Sequence, residues 1–163
     1  MLTKTGRGLA AATLIAGSAA GFAILTSPTA SAAPTASCQA PGDRTVAVDW
    51  PTSDCEAKSA PGGAAAAYGD NGTANAWATP QSLSLAIANN GATATTIAGP
   101  FSGPAAIAMG PGAEITMRTD SAGLMIGLAG PGAKLTLNGQ KATCTGGIGF
   151  VGVLPTLQGC FSM

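Results

Sequence analysis

A chain of 163 residues holds about one domain's worth of sequence, and its seven basic side chains balance seven acidic ones. No basic cluster is available to neutralise phosphates, which excludes nucleic acid as a partner. No histidine is present, so the Ser–His and Cys–His nucleophile systems and the commonest metal ligand are excluded, and no cofactor is expected.

The N-terminus reads as a leader. Lys4 and Arg7 form a basic start, Leu9 to Leu25 is uncharged and apolar, and Ala30-Ser31-Ala32 supplies the small residues of a cleavage site. This pattern predicts a secretory signal peptide over residues 1–32. The apolar run falls short of the roughly 20 residues a membrane span needs, so membrane contact is expected only through an uncleaved leader. Removing Lys4 and Arg7 leaves five basic residues against seven acidic ones, a net charge of −2. Residues 33–37, rich in Pro, Thr and Ser, read as a disordered N-terminus.

From residue 38 onward the chain reads as a single all-β domain. Residues 38–58 form an N-terminal cap in which Val46 and Val48 alternate with polar neighbours on a short strand, stopped by Trp50-Pro51. Trp50 is expected to plug the end of the core. Residues 59–70 are low in complexity, with four consecutive alanines, and read as a linker. Four cysteines in an exported chain read as two disulfides. Pairing Cys38 with Cys55 and Cys144 with Cys160 closes two short loops, one staple at each end of the domain, and is preferred over the two other pairings.

Residues 71–145 carry the repeats. Glycines at 72, 91, 112 and 132 open four similar units, at steps of 19, 21 and 20 residues. Each unit holds two strand-like runs and two turn signals, such as Gly110-Pro111-Gly112 and Gly130-Pro131-Gly132. Recurrence at a fixed short period predicts a short β-solenoid or β-roll of about four 20-residue coils with disulfide-stapled ends. The alternative is a small β-sandwich of antiparallel hairpins, which strands at this spacing also suit. Residues 146–163 are bulkier and read as a C-terminal cap.

Aligning the units on their glycines makes the expectation finer. Thr93, Glu114 and Lys134 form one column, and Thr95, Thr116 and Thr136 the next on the same face. Ala94, Ile115 and Leu135 then point the other way, as do Thr96, Met117 and Leu137. On the second strands, Leu85, Ala106 and Ile126 are read as one column, which leaves Ile107 and Met109 facing outward. Either a bulge shifts the register there or that sheet is apolar on both sides, and an apolar outer face would want a partner. The candidate interaction residues are therefore Thr95, Thr116, Thr136, Ile107 and Met109.

No catalytic constellation emerges. Asp49, Asp54 and Glu56 are the one cluster of acids, and a carboxylate pair could serve a hydrolase, but ordinary solvated surface is the favoured reading of them. Gly147 to Gly152 matches GxGxxG, yet no helix-length segment follows with the acidic residue that a dinucleotide site requires. No metal site is expected.

Two resemblances follow from these segments. The leader, the Ala/Gly-rich body and the bracketing cysteines resemble small exported proteins of mycobacteria and related actinobacteria, many of unknown function. The run Ala106-Ile107-Ala108-Met109-Gly110-Pro111-Gly112-Ala113 is similar to head repeats of trimeric autotransporter adhesins, which form a β-roll. Those adhesins have shorter repeats and a membrane-anchor barrel, so the resemblance implies a coiled β architecture and a surface role and carries over no site residue. The expected function is that of a secreted or envelope-associated, non-catalytic structural or interaction protein, a homo-oligomer or an envelope component. The alternatives are a binder of an apolar small molecule or lipid and, less favoured, a hydrolase using Asp49, Asp54 or Glu56.

Overall fold

The structure, a computed structural model, describes residues 35–154, 156 and 158–163. The expected signal peptide lies outside these residues. Strands β1 (Thr35–Pro41) and β2 (Thr45–Asp49) open the domain. The coil then runs through β3 (Asp54–Ser59), β4 (Ala64–Asp70), β5 (Thr73–Ala78), β6 (Leu83–Asn89), β7 (Thr93–Ala98), β8 (Ser102–Met109), β9 (Glu114–Arg118), β10 (Gly123–Ala129) and β11 (Ala133–Asn138). Strands β12 (Lys141–Gly146), β13 (Gly149–Leu154) and β14 (Gln158–Ser162) close it.

Successive coil strands alternate between two seven-stranded sheets. Sheet A has the order β1-β4-β6-β8-β10-β13-β14, and sheet B the order β12-β11-β9-β7-β5-β3-β2. Within the coil all pairings are parallel, and at both ends they turn antiparallel, as for β1 with β4, β2 with β3, β10 with β13 and β11 with β12. This is a two-sheet β-solenoid of four coils, not a sandwich of hairpins. The antiparallel end strands cover the edges that the open coil would otherwise present.

Turn chemistry sets the coil length. Pro111-Gly112 and Pro131-Gly132 stand at the centre of turns closed by Ala113 N donating to Gly110 O at 3.2 Å and Ala133 N to Gly130 O at 3.0 Å. Proline pre-sets the first central φ, and Gly112 and Gly132 take the left-handed second position, at φ +70° and +71°. On the opposite corner Pro61-Gly62, Pro80-Gln81 and Pro100-Phe101 recur in the same way, with φ of +74°, +58° and +59° at the second residue.

The interior is narrow. Ala57, Ala67, Ala74, Ala76, Ala86, Ala88, Ala94, Ala106 and Ala108 are fully buried. Such small side chains each remove little apolar area from water, so close sheet-to-sheet contact and the backbone ladders supply much of the cohesion. Buried hydroxyls are paired across the interior: Ser84 Oγ on β6 lies 2.7 Å from Thr96 Oγ1 on β7, and Ser102 Oγ on β8 lies 2.6 Å from Thr119 Oγ1 just past β9. Towards the C-terminus the interior takes larger residues, with Ile115, Met117, Met125, Leu135, Leu137 and Val151 all buried. Glycine makes the room. A Cβ at Gly127 would lie 2.9 Å from Met117 Sδ, and one at Gly149 would lie 2.8 Å from Leu135 Cδ2.

The disulfides are Cys38–Cys55 and Cys144–Cys160. Each joins sheet A to sheet B at one end of the solenoid, with Cα–Cα separations of 5.9 and 5.7 Å. Three expectations need correction. Residues 35–37 are ordered in β1 rather than frayed, because Ala36 packs inward beside Cys38. The expected linker holds β4, whose alanines alternate in and out; alanine is a poor strand former in general, but here the narrow interior selects it. Trp50 does not plug the core: it is 49% exposed in the β2–β3 turn, and the Cys38–Cys55 bridge with Val46 and Val48 fills that end instead.

Candidate functional site: two unlike outer faces

The outer face of sheet B is polar apart from the ladder pair Trp77 and Ile97. Thr95, Thr116 and Thr136 are in register on β7, β9 and β11, and Asn75 extends the column on β5. Glu114 and Lys134 stand side by side in the next column, Nζ to Oε2 3.4 Å, both well exposed. Among the described residues every cationic side chain lies on sheet B or just before its edge strand: Arg44, Lys58, Arg118, Lys134 and Lys141.

The outer face of sheet A is the reverse. Alternation along β6 turns Ser84, Ala86 and Ala88 inward and leaves Leu83, Leu85 and Ile87 outside. On β8 the inward residues are Ser102, Pro104, Ala106 and Ala108, and Ile107 and Met109 point out. On β10 Leu124, Ile126 and Leu128 point out. No bulge intervenes; this sheet is apolar on both sides. The column expected as Leu85, Ala106 and Ile126 is in fact Leu85, Ala105 and Ile126, because Ala106 belongs to the buried set. The candidate interaction residues therefore divide, with the threonines on one face and Ile107 and Met109 on the other.

Register across sheet A builds a continuous apolar ridge. Tyr68, Ile87, Ile107, Leu128 and Phe150 are successive ladder partners from β4 to β13. Beside the ridge runs a row of alternating size, Ala66, Leu85, Ala105, Ile126 and Gly152. Ala66 and Ala105, with Ala64 and Gly103, floor a depression of about 440 Å³ walled by Tyr68, Leu83, Leu85 and Leu124. At its far end Gln39 Nε2 donates to the Tyr68 hydroxyl at 3.0 Å, the one polar pair at this site among the described residues. Asp70 is the single ionisable carboxylate on the strands of this face, at the end of β4.

Phe101 stands at the rim, 66% exposed, in the turn that leads into β8. It holds a left-handed backbone at the position where the first coil has Gly62. A bulky residue is seldom found there, because its Cβ crowds the neighbouring carbonyl. Nothing in the sequence marks Phe101 except its place after Pro100, the second position of a turn of this kind.

Other candidates fall elsewhere. Asp49 and Asp54 face each other at the base of the β2–β3 hairpin, with Glu56 two residues on along the outside of sheet B. Among the described residues no group of three His, Cys, Asp or Glu side chains is placed to hold a metal ion. The glycines of Gly147 to Gly152 lie at and within β13 of the cap, where Gly149 clears Leu135. A second depression, of about 480 Å³, lies on sheet B between Glu56, Lys58, Trp77 and Ile97. Trp77 Nε1 and Thr79 Oγ1 are buried beside it with no hydrogen-bond partner.

Fold and cross-links together define a class, the small disulfide-stapled β-solenoid, and the two disulfides point to an oxidising, extracytoplasmic setting. Within that class the chain belongs to the DUF6764 family, a family of unknown function, matched over residues 2–163. No curated protein and no solved structure matches the chain.

Proposed function

We propose that this is a secreted or envelope-associated interaction protein that acts without catalysis, its working surface the outer face of sheet A. One observation carries the reading: the leucines and isoleucines of β6, β8 and β10 stand outside, although the inward residues of β6 and β8 are small, chiefly alanine and serine. Only from β9 onward does the interior take side chains such as Ile115 and Met125. Folding alone favours the opposite arrangement, with large apolar residues inside. A contiguous apolar sheet face is a docking surface in waiting.

The test is site-specific photo-cross-linking in the secreting cell, with the reactive side chain placed at position 107 or, as control, at position 116. Adducts from 107 and none from 116 are expected. Adducts from 116 alone, or from neither position, would remove the outer face of sheet A from consideration. A second reading, an apolar small-molecule or lipid binder, is favoured by the alanine-floored depression beside Tyr68. Native mass spectrometry that finds a co-purified lipid, lost on replacing Ala66 and Ala105 by leucine, would select it.

A further inference from the structure

Resting on that reading, we infer that the occupant of the outer face of sheet A is a second copy of this chain, docked face to face about a two-fold axis. Charge is the first argument. The described cations all belong to the side of sheet B, and the face itself presents only Asp70 at its border. A surface of anionic headgroups needs Lys or Arg beside the apolar patch, and a charged protein partner needs complementary charge. The face offers neither. Homodimer interfaces are the more apolar class, and like meets like there without any charge to match.

Shape is the second argument. The ridge centred on Ile107 runs beside a row in which Ala66 and Ala105 alternate with Leu85 and Ile126, the hollow at Gly152 being filled by the Phe150 ring. Strands lie about 4.8 Å apart, so the hollows recur at roughly 10 Å, every second strand. A two-fold rotation about an axis in the face sets the ridge of one copy over the hollows of the other. Aligned sheets packed in this way sit about 10 Å apart, as in β-sandwiches.

Area is the third. Five strands at about 4.8 Å and seven residues at about 3.3 Å give a flat projection of roughly 550 Å². The accessible surface of so corrugated a face is larger than its projection, and Phe101 and Leu154 extend it at the rim. That reaches the low end, about 600 Å² per partner, of what a specific stable complex buries.

The decisive experiment is sedimentation equilibrium of the exported protein and of Ile107→Lys and Ile107→Glu, with circular dichroism to verify that each variant is folded. The wild type is expected at twice the chain mass. Each charged variant is expected as a monomer, its dissociation constant raised at least 100-fold, and an equimolar mixture of the two should recover dimer. A wild-type dimer that survives both substitutions overturns the inference and removes this face from the proposed function as well. A wild-type monomer at about 100 µM overturns the dimer alone if the protein co-sediments with phosphatidylcholine vesicles and Ile107→Lys does not. If the monomer ignores vesicles too, both readings fall.

Discussion

Transposing neighbours on β8 tests whether the outer aliphatic residues serve the fold. Ala106 is fully buried, with Ala86 and Gly127 as its ladder partners, and the space over Gly127 is already taken by Met117 Sδ and Ile115 Cγ2. Ala106→Ile adds three carbons beside that occupied space, which overpacks the core at a cost of about 2–3 kcal/mol. Ile107→Ala removes three carbons from a half-buried outer position. Fully buried deletions of this kind cost about 2–5 kcal/mol, so a half-exposed one should cost about 1 kcal/mol. Equilibrium urea unfolding followed by far-ultraviolet circular dichroism reads both. It is run at submicromolar protein so that association does not add to stability. With a slope of about 2 kcal/mol per molar urea, the midpoint should fall by about 1 M for Ala106→Ile and by about half that for Ile107→Ala. A larger drop for Ile107→Ala would mean that the outer ridge holds the solenoid together, and the argument for a working surface would lose its basis.

Other outcomes follow from the same geometry. Opening either disulfide, by Cys38→Ala with Cys55→Ala or by Cys144→Ala with Cys160→Ala, should cost about 3 kcal/mol in the chain-entropy account of loops this short; a melting curve unchanged by reductant would refute the staple role. Phe101→Gly should be more stable than Phe101→Ala by about 0.5–1 kcal/mol, since glycine relieves the left-handed backbone and loses part of that gain to unfolded-state entropy. Both variants should weaken self-association alike, and a more stable alanine variant would deny the strain. The exposed Glu114–Lys134 pair should contribute under about 1 kcal/mol in a double-mutant cycle and vanish near 1 M salt.

Most of the coil was legible because turn and strand signals act locally. Pro111-Gly112 and Pro131-Gly132 set the period, and one period of alignment was enough to place Thr95, Thr116 and Thr136 in register and Glu114 beside Lys134. The local disulfide pairing followed from loop length. What misled was size. Alanine reads as filler, so Ala64 to Ala67 look like a linker in the sequence, and the bulk of Trp50 suggests the core. Both errors assume an interior wide enough to need large residues.

That width also explains why the site was only half visible. Along β6 the sequence alternates Leu83, Leu85 and Ile87 with Ser84, Ala86 and Ala88, and either set can face inward on pattern alone. The choice is made by the distance between the sheets, which the paired hydroxyls Ser84–Thr96 and Ser102–Thr119 hold short. Along β6 and β8 this short spacing excludes leucine from within, whereas further on glycines such as Gly149 make room for buried Leu135. The leucines of β6 are left at the surface, where they have no folding role that alanine could not fill at small cost. The ridge through Ile107 is then a surface that the interior permits and does not require, and a surface of that kind is explained by what it meets outside the chain.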